Sequence, residues 1–276
     1  MDISTIVGLL LGLSAIVISF IWEGGHLEMV LAGPAMFIVI GGTLGATMVT
    51  TSMDTVLRIP QYIRIALTGE TQDHPKLISQ ISFMAERARR DGILGLEKEL
   101  SSVKNPFFKQ ALQMVIDGTE ATVLKDTLQA EMNYISERHM HGIKLFRTMG
   151  GFSPTMGIIG TVLGLIHTLA NTDDPARMAS AIASAFIATL WGVALANLVW
   201  IPIAEKLNYR HDEEQVSLEI VTEGVVAIQS GDNPRMISTR LTSYINPSKR
   251  KFDDKPPYQR SRLEQDRSGK MASHIR

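Results

Sequence analysis

Four long stretches of the sequence contain no Asp, Glu, Lys or Arg, although these residues make up 20% of the 276-residue chain. Each stretch has about 20 residues or more, which is enough for an α-helix to cross a hydrocarbon core of about 30 Å. Buried helices of soluble proteins rarely stay uncharged over such a length. We therefore predict four transmembrane spans, at residues 1–22 (uncharged from Ile3), 29–53, 148–172 and 178–204.

The distribution of Lys and Arg orients these spans. Segment 23–28 contains neither residue, and segment 173–177 contains only Arg177. Every other Lys and Arg lies in segment 54–147 or after residue 204. Because cytoplasmic loops of membrane proteins are enriched in Lys and Arg, we expect both of these regions, and both termini, in the cytoplasm.

The insert at residues 54–147 is predicted to be helical. Its segment HPKLISQISFMAERA has apolar residues at helical spacing, and Gly92 interrupts that helix. Pro106 and Gly118 mark the start and the end of another helix. The last part of the insert is predicted to continue as a helix into the third span.

The C-terminal part of the chain is predicted to have two regions. Residues 205–245 extend the helix of the fourth span into the cytoplasm. Residues 246–276 are basic, rich in Pro and Ser and nearly free of large apolar residues, so we expect a flexible tail. A solvated tail is favoured over one bound to anionic lipid. The predicted fold is an all-α membrane protein with a helical cytoplasmic insert between its second and third spans.

Several classes of function are disfavoured by the composition. The chain has no cysteine, so it has no thiolate metal site, and its formal net charge of −1 gives no reason to expect nucleic acid as a partner. We find no nucleotide-binding loop, metal-spaced cluster or nucleophile–base motif. His139 and His141 are two residues apart, which places them on different faces of a helix. We therefore expect neither an enzyme nor a cofactor.

Small residues recur along all the spans at spacings that let helix backbones approach closely in lipid. In the third span, two glycines and two threonines share one face, and most of the glycines there are interpreted as packing residues. The small-residue pairs are Gly8 and Gly12, Gly41 and Gly45, and Gly160 and Gly164; the shared face carries Gly157, Thr161, Gly164 and Thr168.

Two threonines of the third and fourth spans are predicted to lie at matching depth. At a rise of 1.5 Å per residue, Thr161 lies about 20 Å and Thr189 about 22 Å from the cytoplasmic ends of their helices. Pro154 and Pro202 lie nearer those ends, where a proline frees a backbone carbonyl and permits a kink. A threonine in a span usually bonds its own helix four residues back. The matched pair beside prolines nevertheless favours a polar lining.

No predicted span contains a carboxylate, although cation and proton pathways usually need one. His167 lies near the outer end of the third span and is interpreted as structural or wall-lining. If this protein moves ions, the charged carrier must therefore come from another chain.

Three separated motifs make the chain resemble the flagellar stator A subunits, the MotA/PomA family. They are GGFSPTMGIIGTVLGLIHTLANTDDP in the third span, ASAFIATLWGVALANLVWIPIAEKL in the fourth and AERARRDGILGLEKEL in the insert. They occur in the family's order and topology, and the resemblance covers residues 1 to about 245. The ExbB and TolQ proteins are a weaker match, because their topology differs and they lack such an insert.

The resemblance implies a mechanism and a set of partners. In this family, five A subunits in the bacterial inner membrane surround a dimer of single-span B subunits of the MotB/PomB type. An aspartate of the B helix binds and releases the transported ion. Ion passage is thought to turn the ring of A subunits, whose cytoplasmic charges push the rotor protein FliG.

The resemblance also assigns roles to particular positions. The signature prolines match Pro154 and Pro202, where the ion cycle is coupled to movement, and the conserved threonine of the fourth span matches Thr189. The rotor-contacting charges match Arg89 and Glu97, which we expect to be exposed near the tip of the insert. Neighbouring charges could share that role: Arg87, Arg90, Asp91, Lys98 and Glu99.

The choice of ion rests on Thr161. Sodium-driven members usually have threonine at the matching position, whereas proton-driven members usually have Ala or Gly. Na⁺ needs oxygen ligands as it loses water, and a hydroxyl and freed carbonyls can supply them. The resemblance therefore favours Na⁺, with H⁺ as the alternative.

Two other functions remain open. One is an ion-driven energiser of an envelope protein, of the ExbB/TolQ type, which the charged insert disfavours. The other is a self-sufficient channel or transporter, which the lack of a carboxylate in the spans disfavours.

Overall fold

The chain forms helices throughout the parts that the structure describes. The structure is a computed structural model, and it describes residues 3–25, 30, 32–68, 72–170, 175–245 and 247. These residues contain no strand, which confirms the predicted all-α class. The predicted flexible tail lies outside the described residues, apart from Pro247. The α-helices are α1 (Ile3–Trp22), α2 (Gly33–Thr50), α3 (Met53–Leu57), α4 (Ile59–Thr68), α5 (His74–Asp91), α6 (Pro106–Ile116), α7 (Ala121–Ala170), α8 (Pro175–Leu195), α9 (Ile201–Gln229) and α10 (Pro234–Thr242).

Two elements of the described part of the chain are helical but not α-helical. A 3-10 helix, Ile93–Ser102, follows α5, and a π-helical turn, Ala196–Trp200, joins α8 to α9. The predicted break at Gly92 is confirmed, because this residue has a φ of 80°, a backbone conformation that residues with a side chain rarely adopt. The segment after it is a 3-10 helix.

Local capping explains where the shorter helices begin. The side chain of Asp73 accepts a hydrogen bond from the Lys76 N–H at 3.1 Å at the start of α5. Asn105 accepts one from the Phe108 N–H at 3.1 Å at the start of α6, where Pro106 occupies the first turn. Such caps satisfy N–H groups that the helix itself leaves without acceptors.

Within the described residues, four helical stretches are long and apolar enough to cross a membrane. The third is the whole 50-residue helix α7, which begins inside the insert, so the predicted continuation of the insert into the third span is confirmed. The fourth continues through α8, the π-helical turn and α9. The stretches are Ser4–Trp22, Gly33–Thr50, Ala121–Ala170 and Ala181–Gln229.

The chain divides into two compact units. The first comprises Met1–Glu70 and Glu137–His211, and the second comprises Thr71–Ser136 and Asp212–Arg276. The division falls inside the 54–147 insert, because its first and last parts group with the spans.

Each unit has its own apolar core. In the first unit, the middle of α7 packs against α4 and α9, with Phe146 fully buried beside Tyr62 and Trp200. In the second unit, α5, the 3-10 helix, α6, α7, α9 and α10 contribute to one cluster. Its fully buried members include Ile81, Leu96, Phe108, Leu112, Leu124, Leu128, Ile220, Ile237 and Leu241.

The predicted small-residue pairs differ in how closely they pack against neighbouring helices. A Cβ on Gly160 would lie 2.8 Å from the Cβ of Ala188, and one on Gly164 would lie 2.7 Å from the Cβ of Ala185. A Cβ on Gly12 would lie 2.9 Å from Leu198. At Gly8, Gly41 and Gly45, in contrast, a Cβ would meet no described atom within 4 Å. The close-packing role is therefore confirmed within the chain only for Gly12, Gly160 and Gly164.

Candidate ion path and partner-binding surface

Helices α7 and α8 come into backbone contact at two facing glycines. A Cβ on Gly157 would lie 2.8 Å from Ala188 O and 3.0 Å from Thr189 Cα. A Cβ on Gly192 would lie 2.7 Å from Ser153 O and 3.0 Å from Gly157 Cα. All of these neighbours are backbone atoms. The absence of side chains at both positions is what lets the two backbones touch.

A cluster of four oxygen atoms forms beside this contact. The Thr161 hydroxyl lies 3.1 Å from Gly157 O and 3.0 Å from Ala185 O, and it makes a short hydrogen bond with the Thr189 hydroxyl. The Thr189 hydroxyl lies 3.4 Å from Gly157 O. We call these two hydroxyls and two carbonyls the hydroxyl–carbonyl cluster. The predicted matching depth of the two threonines is confirmed, since they are in direct contact.

The cluster is partly buried and electrically neutral. Two hydroxyl protons cannot satisfy every contact among four oxygens, so some lone pairs point toward one another without a hydrogen between them. The expected bond of Thr161 to its own helix is present, but the same hydroxyl also reaches α8. Oxygen atoms in this arrangement are the ligands that hard cations prefer.

The two predicted coupling prolines flank the cluster in sequence, with Pro154 before Thr161 in α7 and Pro202 after Thr189. Pro154 is inside α7, which continues through it, and Pro202 is exposed in the first turn of α9. Directly before it, the Ile201 N–H donates to Ala196 O, five residues earlier. Since Pro202 has no N–H, the Leu198 carbonyl loses the donor that an α-helix would provide, and the Ile201 N–H that would serve Asn197 in an α-helix goes to Ala196 instead.

A buried hydrogen bond joins the two helices near Pro154. The Ser153 side chain is fully buried, and its hydroxyl donates to Gly192 O at 2.9 Å. This bond connects the two helices beside the glycine contact. The buried Ser153 hydroxyl therefore keeps its acceptor only while the helices remain this close.

Most of the charged residues predicted for rotor contact fall into two groups; Lys98 belongs to neither, since it is exposed and has no ion pair within the described residues. Arg87 forms ion pairs with Asp91 at 3.2 Å and with Glu99 at 3.6 Å, and Arg90 forms one with Asp91 at 2.9 Å. Hydrogen bonding from Arg90 holds the pKa of Asp91 below its ordinary value, which keeps this carboxylate ionised.

Arg89 and Glu97 form the other group. Both are exposed, as predicted, and neither has an ion-pair or hydrogen-bond partner within the described residues. These two charges are therefore available to another molecule, whereas the Arg87 and Arg90 guanidinium groups are held by acids of their own chain.

Metal binding by the protein alone finds no support in the part of the chain that the structure describes. No group of three or more His, Asp or Glu residues there could hold an ion. His139 packs edge-on against His211, with ring centroids 5.6 Å apart, while His141 is exposed, so the two histidines face apart as predicted. His167 is exposed near the end of α7.

Comparison with known proteins gives concordant matches along most of the chain. The Motility protein A N-terminal family matches residues 6–92, and the MotA/TolQ/ExbB proton channel family matches residues 99–220. The chain is 34% identical to chemotaxis protein PomA of Vibrio alginolyticus, over 92% of its own length and 99% of that protein. It is 33% identical to motility protein A of Borreliella burgdorferi, over 91% and 96% of the two lengths.

The chain belongs to the MotA/PomA family of flagellar stator A subunits.

Solved structures of MotA relatives have the same fold. A chain of the C. jejuni MotAB structure superimposes with a TM-score of 0.85 at 29% identity, covering 93% of this chain and 98% of that one. A chain of the flagellar MotAB stator complex from Bacillus subtilis gives a TM-score of 0.83 at 29% identity, covering 89% and 97%. The chain is thus a stator subunit of an ion-channel family, and the resemblance found from its three motifs is confirmed.

Several features of this MotA-family site were absent from the sequence predictions. The spacing of Gly157, Thr161 and Gly164 indicated a shared face, but it did not reveal that Gly157 and Ala185 contribute carbonyls to the cluster. The bond from Ser153 to Gly192 and the π-helical turn were also missed. Pro202 was the one available signal for the π-helical turn, since a residue without an N–H interrupts the α-helical hydrogen-bond pattern.

Proposed function

We propose that this stator A subunit works with a single-span B subunit to conduct Na⁺ and to convert its flow into torque on the rotor protein FliG. The hydroxyl–carbonyl cluster between α7 and α8 is the observation that carries the proposal. It offers four neutral oxygens inside an apolar wall, and the transported ion itself, Na⁺ or H⁺, is the only small ligand that the proposal requires.

The need for a B subunit follows from charge. The four uncharged stretches contain no carboxylate, and an ion crossing a bilayer without a counter-charge faces a large desolvation cost. A partner helix of the MotB/PomB type would supply an aspartate. The B. subtilis and C. jejuni structures are described as MotAB structures, which supports such a partner here. Ion flux through liposomes that contain this chain alone would contradict the requirement.

The outer surfaces of the spans support assembly in lipid. Helix α1 exposes large apolar side chains, including Leu11 at 67% and Trp22 at 86%, and α2 exposes Phe37 at 79% and Val49 at 87%. Such surfaces are stable only against lipid or other apolar helices. We propose a homopentamer in the bacterial inner membrane, with both termini in the cytoplasm. Coupling to movement is assigned to Pro154 and Pro202.

The choice of Na⁺ over H⁺ rests on Thr161 together with Thr189. A proton can pass between water and one carboxylate, whereas Na⁺ must have its lost water ligands replaced by oxygens, as helix carbonyls do in sodium-coupled transporters. The Thr161 hydroxyl is the atom shared by all but one of the contacts in the cluster.

Substitution of Thr161 tests the ion choice. We expect Thr161→Ala to raise the Na⁺ concentration needed for half-maximal swimming speed about tenfold, equivalent to about 1.4 kcal/mol for one lost ligand. Thr161→Ser keeps the hydroxyl and serves as the matched control, with a sodium dependence near that of the wild type. Motility that persists without sodium and collapses with a protonophore would refute the choice of Na⁺.

An energiser of the ExbB/TolQ type is the second candidate, because the family that matches residues 99–220 includes these proteins. The match of residues 6–92 to Motility protein A favours the stator. If a strain that lacks this chain swims normally but loses an ion-driven function of its envelope, the energiser would replace the stator as the proposal.

A further inference from the structure

The 3-10 helix after α5 separates its residues into an inward and an outward row. In a 3-10 helix, residues three apart lie directly above one another. Ile93, Leu96 and Glu99 form the inward row, in which Leu96 is fully buried in the core of its unit and its two neighbours are partly buried. Leu94 and Glu97 are exposed, and they form the outward row.

Leu94 is strongly exposed. Its side chain is 72% accessible, the highest value among the exposed large apolar residues of its compact unit, within the described residues. Three other such residues occur there: Val123 at 51%, Tyr134 at 66% and Met236 at 67%. Leu94 alone among them lies in the segment that also carries exposed charges without ion-pair partners in the described residues, after Arg89 and before Glu97 and Lys98.

The backbone around Leu94 is held in place from both sides. Gly92 makes the left-handed turn out of α5, and the Gly95 N–H donates back to Gly92 O at 3.0 Å. A Cβ on Gly95 would lie 2.8 Å from the Cβ of Asp91, so the 3-10 helix sits directly on the end of α5.

Ion pairs brace the same segment. Arg87 bridges Asp91 on α5 and Glu99 on the 3-10 helix, and Arg90 also binds Asp91. Together with buried Leu96, these contacts fix the direction of the exposed side chain. A site fixed in this way loses little conformational entropy when it binds a partner.

We propose that Leu94 is the apolar anchor of the surface that binds the rotor protein. The partner that fits has an apolar pocket for Leu94, a carboxylate that meets Arg89 and a cationic group that meets Glu97. This inference rests on the proposed function and adds to it the residue that supplies most of the affinity. Arg87 and Arg90 act as positioning residues, because their charges are already used within the chain.

The expected division of labour follows from the chemistry of interfaces. Exposed charges steer a partner and fix its orientation, but their contribution to affinity is screened by salt. Central apolar anchors surrounded by polar groups carry much of the binding energy. The charges Arg89 and Glu97 therefore determine orientation and rate of association, and Leu94 determines the lifetime of the complex.

The test measures binding of the purified rotor protein FliG to the full A–B complex in nanodiscs, with unlabelled complex as competitor. We expect Leu94→Ala to raise Kd about ten- to thirty-fold, mainly through a faster dissociation rate. Met236→Ala removes a comparably exposed apolar side chain from the same unit and is expected to leave Kd within about twofold. Leu94→Met, which keeps the apolar volume, should restore most of the affinity.

Two further measurements separate anchoring from a structural effect. Thermal unfolding of the complex should be unchanged in Leu94→Ala, because the side chain is mostly exposed. Raising the salt concentration should reduce the effect of Arg89→Glu on Kd but leave the effect of Leu94→Ala intact, since apolar contacts are not screened.

The possible failures are distinguishable. If the wild-type complex does not bind FliG, the proposed rotor partner is wrong. If FliG binds and Arg89→Glu weakens it, but Leu94→Ala leaves Kd within twofold, the anchor is refuted and the proposed function stands. Equal losses in Leu94→Ala and Met236→Ala would refute the anchor as well, because they would indicate a general effect of apolar surface.

Discussion

Replacement of Gly192 by Ala tests the glycine contact between α7 and α8. The added Cβ would lie 2.7 Å from Ser153 O and 3.0 Å from Gly157 Cα, whereas ordinary contacts begin at 3.4 Å. Both neighbours are backbone atoms, so no side chain can rotate away. The helices must therefore separate locally by about 0.7 Å, the difference between 3.4 and 2.7 Å.

That separation has two energetic consequences. Overpacking of a well-packed contact costs about 1–3 kcal/mol. The bond from Ser153 to Gly192 O, now 2.9 Å, would lengthen beyond the usual range of hydrogen bonds and leave a fully buried hydroxyl without its acceptor. This second loss adds about 1 kcal/mol or more. Helix propensity acts in the opposite direction, since Ala is favoured over Gly in a helix by about 1 kcal/mol.

The assay is thermal unfolding of the purified A–B complex in one detergent, followed by fluorescence. We expect Gly192→Ala to unfold several degrees below the wild type, and its torque at saturating sodium to fall because the hydroxyl–carbonyl cluster lies at the displaced contact. Gly8→Ala is the matched control, since a Cβ there meets no described atom within 4 Å. It should unfold at or slightly above the wild-type temperature.

One result would refute this reasoning. If Gly192→Ala unfolds at the wild-type temperature and supports wild-type torque, α7 and α8 are not in backbone contact in the assembled protein. A loss of stability of equal size in Gly8→Ala would also count against it, because the cost would then not depend on the space around the glycine.

Two predictions concern the charges of the insert. Arg89→Glu and Glu97→Lys should each reduce torque at least tenfold in a bead-rotation assay, while membrane assembly remains normal. The control is Lys125→Glu, because Lys125 is an exposed lysine without a partner in the described residues, and motors that carry this variant should rotate normally. An equal loss of torque in the control would mean that the effect of charge reversal is general. Asp91→Asn should accelerate amide hydrogen exchange in the 3-10 helix, whereas the exposed control Asp126→Asn should not. Because the pKa of Asp91 is lowered in the folded state, its stabilising contribution is present above the ordinary carboxyl pKa and is lost as the pH falls through the folded value. Protection of the wild-type 3-10 helix should therefore persist from neutral pH down to about pH 5, and earlier loss would contradict this role of Asp91.

The amino-acid sequence by itself determined the helical class, the four apolar stretches and the breaks at Gly92, Pro106 and Gly118. These features depend on local rules: the length of an uncharged run, the spacing of apolar residues, and the backbone preferences of Gly and Pro. The family could also be identified from the sequence, because each of its three motifs is a continuous stretch of residues.

Only the tertiary structure decided which of the predicted residues act together. Thr161 and Thr189 are 28 residues apart, and their contact depends on how closely the backbones at Gly157 and Gly192 approach. The spacing of residues along the sequence does not reveal how closely two helices approach. It also does not distinguish glycines that meet a neighbouring helix from those that face outward.

In the insert, too, only the tertiary structure decided which charged residues are paired. The motif AERARRDGILGLEKEL presents eight charges that look equivalent in sequence, apart from their sign. Folding the 3-10 helix onto the end of α5 brings Glu99 and Asp91 to Arg87, which occupies these groups and leaves Arg89 and Glu97 unpaired. The same fold buries Leu96 and exposes Leu94. Sequence specifies the chemistry of each side chain, but pairing and exposure depend on which surfaces the chain brings together.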